Sequence, residues 1–375
     1  MTIARFDAIP VAYNEPNDSD STRSLLFCRL ETTDGVVGWG EAITQFPEAS
    51  LAAAALAQGV ADIVVGHDPL NHHAIMADLD RRSWWYAYEG GIASFVTSAL
   101  DVALWDLRGK ILGCSVSELI GGAVRRELPV IASTHAFNSS LEFEIERHAA
   151  YVQRDGFRGV KIGMGKRGEA RLGYELRRDV EFVAGLREAI GPDAILIMDR
   201  GQSLQWSVAD AIERTRAFNE YRLTWMEEPL EPYDVEGFRR LREQVSCLIG
   251  TGEREFTVRG YERVVASGIS DVVGFDPGRA GGITAGLKVI KLVEASHVWF
   301  NAHAWSSAIT TAASIALSAS TNRCLLFEMK PLANPMHDEL ITEPFAQHGG
   351  YVSVPDGPGL GIEVNESVLE RYRLR

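Results

Sequence analysis

Residues 194–253 read AILIMD-RGQSLQWSVADAIERTRAFNEYR-LTWMEE-PLEPYDVEGFRRLREQVS-CLIGTGE. Three short apolar runs, Ala194–Asp199, Leu223–Glu228 and Cys247–Glu253, each end on a carboxylate. Between them lie polar stretches of helical periodicity, Ser207–Tyr221 and Val235–Gln244. Short apolar runs fit strands buried on both faces, and an amphipathic helix after each returns the chain to start a parallel neighbour. The same alternation extends both ways. Pro129–Ser133, Gly159–Gly163, Asp271–Asp276, His297–His303 and Leu325–Met329 complete eight strand candidates, with Tyr174–Ala189 and Ile283–Ser296 as further helices. Repeated βα units of this kind predict an α/β protein with a closed parallel barrel, and a doubly wound open sheet is the alternative.

Residues 1–125 follow another pattern. Leu25–Glu31 and Val36–Trp39 flank Asp34-Gly35, which predicts a hairpin, and Ala49–Ile63 and Ile92–Leu112 read as helices. This is an α+β unit. From Glu343 the tail, with Asp356-Gly357-Pro358-Gly359, loses the barrel periodicity and is expected to pack back on that unit. The expected division is therefore 1–125 with 343–375 as one domain and 126–342 as the barrel.

The 375 residues are 46% hydrophobic and 23% charged, which excludes a disordered or collagen-like chain. Lys and Arg number 37 against 51 Asp and Glu, a net charge of −14 that disfavours nucleic acid and anionic lipid as partners. The start, MTIARFDAIPVAY, carries Arg5 and Asp7 in its apolar stretch, and Gln58 and Asp62 break Leu51–Val65, so no signal or membrane segment is expected. Cys28, Cys114, Cys247 and Cys324 form no CxxC and fit reduced thiols in the cytoplasm.

In a barrel all strand ends meet at one mouth. Here those ends carry Lys161, Asp199, Glu227 with Glu228, Glu253, Asp276, His303 and Glu328. Charges inside apolar strands are costly unless paired or metal-bound. Asp199, Glu227 and Glu253, 28 and 26 residues apart, repel one another without a cation, and an all-oxygen set favours Mg²⁺. Each taken singly also fits a helix N-cap. Lys161 and His303 would face each other across the mouth, and Asp276 could fix the tautomer of His303. A bound metal polarising a carboxylate, with bases reaching its α-carbon, is the chemistry this set suggests. Gly163–Gly168 matches GxGxxG, but the acid that a dinucleotide site needs about 20 residues on is missing. His72-His73 is expected to be solvated, and Trp84-Trp85-Tyr86 beside Arg81-Arg82 to be either core or pocket wall.

The sequence resembles the enolase superfamily, in its mandelate racemase-like subgroup. The resemblance rests on VGWGEA (Val37–Ala42), ALDVALWDLRGK (Ala99–Lys110), WMEEP (Trp225–Pro229) and TGERE (Thr251–Glu255). It continues in FDPGRAGGIT (Phe275–Thr284), NAHAWSS (Asn301–Ser307) and PDGPGLGIE (Pro355–Glu363). It implies a modified TIM barrel, (β/α)7β, under an α+β capping domain formed from both termini. Asp199, Glu227 and Glu253 would hold Mg²⁺, His303 and Asp276 form the acid/base dyad, and Glu328 lie near the substrate carboxylate or enolate oxygen. It also implies a homo-oligomer. One position departs from the subgroup: aligned without gaps, Lys161 is present but Gly163 stands where a second, catalytic lysine is usual.

Racemisation between opposed bases needs a group on each face of the α-carbon, whereas loss of a β-hydroxyl needs one base. The expected function is therefore a lyase, a Mg²⁺-dependent dehydratase of an acid sugar (aldonate or aldarate). A cycloisomerase, racemase or epimerase of a related acid or lactone is the alternative, and a non-catalytic metal-binding relative a remote one. Substrate contacts are expected from the polar Asn14–Ser21 loop, with Asn14 foremost, and from Arg82, Trp84 and Tyr86. Arg200, Gln202, Arg254 and Trp305, which follow strand ends, are further candidates.

Overall fold

The computed structural model describes residues 1–137, 140–166 and 168–375. Strands β1 (Ile3–Glu15), β2 (Ser21–Thr32) and β3 (Val37–Gln45) form an antiparallel sheet in that order. The first of them was not legible, because Arg5 and Asp7 interrupt its apolar stretch. Those two side chains pair with each other at 2.7 Å, and Asp7 lies 3.7 Å from Arg29 on β2, so their charges stay on the outer side of the sheet. Pro10 is tolerated because β1 is an edge strand. The helix expected over 49–63 splits into Pro47–Gly59 and a 3-10 turn at Ala61–Ile63, whereas Ile92–Leu112 runs as its periodicity requires. A helix at His72–Ser83 was missed. Its His72 is buried rather than solvated, with Nε2 2.8 Å from Asp101 and its ring edge against Trp105.

Eight parallel strands follow: β4 (Glu127–His135), β5 (Gly159–Gly163), β6 (Ile195–Asp199), β7 (Trp225–Glu227), β8 (Leu248–Thr251), β9 (Val272–Phe275), β10 (Trp299–Ala302) and β11 (Phe327–Met329). Between them run helices Leu141–Gln153, Leu176–Ile190, Val208–Asn219, Val235–Arg242, Val258–Ser267, Gly282–Ser296 and Ala308–Ala319. β11 returns beside β4, and a parallel bridge from Phe300 to Cys324 joins the β10 and β11 ends of the ring. This is a (β/α)7β barrel. Ile131, Ile197, Trp225, Val272 and Leu326, from β4, β6, β7, β9 and the residue just before β11, form a cluster inside the barrel, each at most 2% exposed. A last strand, β12 (Tyr351–Ser353), pairs antiparallel with β4.

The motifs that carry the family resemblance include joints between sheet and barrel. Glu41, in VGWGEA, accepts the backbone N–H groups of Ser307 at 2.9 Å and Thr310 at 3.0 Å and the hydroxyls of both. A buried carboxylate thus caps the start of helix Ala308–Ala319, where the helix end is partially positive. Within ALDVALWDLRGK, Asp101 accepts the Thr284 N–H at 2.9 Å, and Asp106 accepts those of Trp39 and Leu360, each at 2.8 Å. Gly40 permits the close contact of β3 with helix Ile92–Leu112, since a Cβ there would lie 1.8 Å from the Ala99 carbonyl oxygen. The tail reaches β1 through Leu374, whose N–H donates to the Pro10 carbonyl at 2.8 Å, and β2 through Glu366, 3.1 Å from Arg29. The four cysteines are unpaired, and no described helix is long and apolar enough to cross a membrane.

Replacing Glu41 by Gln leaves one carbonyl oxygen where two carboxylate oxygens accept four donors. It is expected to lower unfolding stability by about 1–3 kcal/mol in urea titrations, and an unshifted midpoint would contradict this joint. His148 and His337 are buried neutral, and burial pushes each down to about 3 from the ordinary 6.5. The unfolded chain therefore binds these protons first, so the stability they confer is whole above pH 6.5 and declines as pH falls from there towards 3. Each contributes about 1.4 kcal/mol per pH unit over that window. Melting followed from pH 7 to 5 should show the decline begin near 6.5, and His337→Gln should make it shallower. A wild-type curve flat down to pH 5 would rule the effect out.

Candidate active site

Parallel register sets four residues at one level of the mouth: His135 pairs with Gly163, Gly163 with Asp199, and Asp199 with Glu227. Side chains two apart on a strand share a face, so Ser133, Lys161, Ile197 and Trp225 form the level below. Glu253 follows β8 by two residues, Asp276 and His303 each follow their strands by one, and Glu328 lies within β11. Asp199, Glu227 and Glu253 each bring one oxygen within 4.8 Å of the others.

Lys161 rises from the lower level into this set. Its Nζ is 2.5 Å from Glu227 and 3.3 Å from both Asp199 and Glu328. Burial disfavours the ammonium, but these carboxylates outweigh it and hold Lys161 well above its ordinary pKa. The acids divide accordingly. Burial and the neighbouring carboxylates push Asp199 well up. Burial, opposed by His303 and Lys161, raises Glu253 to about 7. Glu227 is held below its usual range, because Lys161 outweighs the effect of burial. Glu328 also accepts hydrogen bonds from Ser133 at 2.9 Å and Asn301 at 2.7 Å.

His303 Nδ1 is 2.7 Å from Asp276 Oδ2, and Asp276 Oδ1 accepts the Gly278 N–H at 2.7 Å. With Nδ1 so engaged, Nε2 is the nitrogen turned to the carboxylates, 3.6 Å from Glu253. Burial opposes the imidazolium, yet Glu253 and Asp276 prevail and raise His303 to about 9. Glu228, the residue beside Glu227, does not join the set. It turns away in the left-handed region (φ 46°) and accepts hydrogen bonds from Thr251 and from the N–H of Gly252, and it also pairs with Arg254. It thereby shapes the loop that presents Glu253, at a backbone cost a non-glycine residue meets only where its contacts fix it.

The expected substrate contacts fare unevenly. Asn14 is in β1, exposed, on the face opposite buried Tyr13 and Glu15, because alternate residues of a strand point oppositely. Arg200 is 3% exposed, and its guanidinium is engaged by the carbonyls of Glu228 and Leu204 and by Glu231. Arg254 gathers Glu228, Gln202 and Glu231 on the outer side of the mouth. Arg82, Trp84 and Tyr86 are exposed at and beyond the end of helix His72–Ser83. Arg82's one ion-pair partner among the described residues is Asp62. None of these joins the carboxylate set. Trp305 does border it: its indole N–H donates to Ser133 at 3.0 Å, and Ser133 donates on to Glu328.

Two groups differ from the expectation. The first is the strap of 3-10 helix Pro16–Asp18, expected as a loop with Asn14 at its head. Asn17 bonds Leu332 in both directions at 2.8 and 2.9 Å, and Glu15 pairs with Lys330 at 2.7 Å. Asp18 meets Arg23 at 2.8 Å and also Lys166. The second is His135, overlooked because the first strand was ended at Ser133, two residues short. The one signal for a longer strand was β-branched Thr134 directly after the run. As for the GxGxxG run, Arg167 lies outside the described residues, and the next helix begins only at Leu176, so the loop does not open a helix as a dinucleotide site requires.

Residues 10–121 match the mandelate racemase / muconate lactonizing enzyme N-terminal domain, and residues 144–368 the enolase C-terminal domain-like family. The chain is 32% identical to D-gluconate dehydratase of Thermoproteus tenax over 375 residues, covering 99% of this chain and 74% of that protein. Its fold matches the 3,6-anhydro-D-galactonate cycloisomerase from Zobellia galactanivorans with a TM-score of 0.89 at 27% identity, over the whole of both chains. A racemase from Streptomyces coelicolor, solved with bound magnesium, matches with a TM-score of 0.85 at 26% identity, covering 99% of this chain and 100% of that one. With both halves of the pattern present and the barrel in place, the chain belongs to the mandelate racemase-like subgroup of the enolase superfamily.

Proposed function

We propose that the protein is a Mg²⁺-dependent dehydratase of an acid sugar, converting an aldonate or aldarate to a 2-keto-3-deoxy acid. The observation that carries this reading is the His303–Asp276 pair, whose remaining nitrogen borders three carboxylates within 4.8 Å of one another. That donor set, all oxygen and already gathered about an ammonium, suits a small hard dication. Held by Asp199, Glu227 and Glu253, Mg²⁺ would supply the charge that binds the substrate carboxylate and favours negative charge on its oxygens.

The chain's own groups handle the protons. Asp276 keeps the proton on His303 Nδ1; with Glu253 engaged by the metal, its charge would no longer hold a proton on Nε2, which is then free to take the α-proton. The imidazolium, still held by Asp276, then returns that proton to the departing β-hydroxyl, which leaves as water. The resulting enol becomes the 2-keto acid by taking a proton from solvent at the neighbouring carbon. Lys161, already among the carboxylates, would set its positive charge against the substrate carboxylate. Glu328, tied to Ser133, Asn301 and Lys161, would orient that ammonium. The dehydratase relative supports this reading, and a cycloisomerase acting through the same α-proton removal is the second, supported by the relative from Zobellia.

A panel of acid sugars incubated with the protein and Mg²⁺, and assayed for keto acid with semicarbazide, should give product from at least one member. His303→Asn is expected to lower that rate by at least ~10²-fold; a variant with full turnover would remove His303 from its role. Calorimetric Mg²⁺ titrations should release protons, because Glu253 and Asp199 must ionise to bind it. Affinity should weaken below pH 7 by up to about tenfold per pH unit for each proton released, and a pH-independent affinity with no proton release would count against the carboxylate site.

A further inference from the structure

The glycine at 163 is not an empty place. A Cβ on it would lie 2.0 Å from Nδ1 of His135 and 2.5 Å from Cε1, so the imidazole occupies the volume a side chain at 163 would need. The two residues pair across β4 and β5, and the ring leans from one strand onto the next. Its Nδ1 is buried against that glycine and has no hydrogen-bond partner among the described residues. The opposite nitrogen, Nε2, is turned to the strap, 3.8 Å from Asp18 Oδ1, beyond hydrogen-bond reach. Trp305 packs edge-on against the ring with centroids 4.9 Å apart, and the side chain is 20% exposed. This position joins three things: the level of Asp199 and Glu227, the Trp305–Ser133–Glu328 chain, and the underside of the cap.

We propose that His135 is a specificity-determining residue of this site, its Nε2 edge holding a hydroxyl of the bound acid sugar. The inference rests on the acid-sugar reading above and deepens it. Gly163 is then required, since only a residue without a side chain leaves room for the Nδ1 edge of the ring against β5. The surroundings keep the ring in the form such a role needs. Burial, with Lys166, Arg23 and Lys161 nearby and Asp18 opposing, pushes His135 down to about 3, so it is neutral at physiological pH and one nitrogen stays free of a proton. Through Nε2 a neutral imidazole either donates to or accepts from a sugar hydroxyl, according to its tautomer, and it adds no charge beside the carboxylate set.

The test compares wild type, His135→Phe, His135→Gln and Gly163→Ala on the Mg²⁺-supplemented acid-sugar panel, together with deoxy analogues of the best substrate. His135→Phe is expected to lose about tenfold in kcat/KM, mainly through KM. The loss should vanish on one deoxy analogue, the one lacking the hydroxyl that His135 holds. His135→Gln, which keeps a hydrogen-bonding end, should fall between, and Gly163→Ala, which displaces the ring, should resemble His135→Phe. Circular dichroism and melting identify a variant that fails to fold, and Gly163→Ala then carries the comparison. Unchanged kcat/KM of folded His135→Phe on every acid that wild type converts overturns the inference alone. A loss confined to kcat and equal on all deoxy analogues also overturns it, pointing to proton transfer instead. If wild type neither converts nor is thermally stabilised by any member of the panel, the acid-sugar reading fails and the inference with it.

Discussion

Asp199, Glu227 and Glu328 converge on a single ammonium at the barrel mouth, with Glu253 beside them. Carboxylates so close and so buried are not tolerable as free anions. Each must be protonated, paired or bound to a cation; the chain shows the first two responses and gathers its oxygens for the third. Asp199 and Glu253 shift towards protonation, Glu227 pairs with Lys161, and the oxygens stand where a dication fits. Other features of the mouth follow from that crowding. Glu228 turns aside in a strained backbone to hold the Glu253 loop, Asp276 tethers His303, and Ser133 and Asn301 saturate Glu328.

A site this demanding needs a rigid frame, and the cap supplies one side of it. Glu41 seats the sheet on the helix that starts just after His303, and Asp101 seats helix Ile92–Leu112 on the one that follows Asp276. The strap is bolted to the segment after β11 through Asn17–Leu332 and Glu15–Lys330. Because the Asp18 carboxylate sits at the end of that strap, the cap also faces His135. Cap and barrel thus share the polar network in which a substrate's hydroxyls would lie.

The eight strands and the charged residues at their ends could be read from the sequence, because a buried parallel strand leaves a short apolar run and a charge at its end breaks the pattern visibly. What could not be read depends on contacts between distant segments. Arg200 stands beside a strand end like a binding residue, but whether it faces a substrate or the Glu228 and Leu204 carbonyls is decided by a loop fold. Asn14 carries no mark of which side of its strand it occupies. His72 meets its partner Asp101 only once two helices pack. Gly163 read only as the absence of a second base, since a sequence cannot show that an imidazole from the neighbouring strand lies in the space of the absent side chain.

In the function proposed above, dehydration and cycloisomerisation of an acid sugar would share one step, transfer of the α-proton to His303, after which the neighbouring carbon would take its hydrogen from solvent. The product's labelling pattern after reaction in D₂O therefore tests the account directly, by proton NMR of the isolated keto acid. The site as described predicts one deuterium on the carbon next to the former α-carbon. Product formed at full rate with no solvent deuterium there would mean an internal hydrogen shift, and would contradict proton abstraction at this mouth.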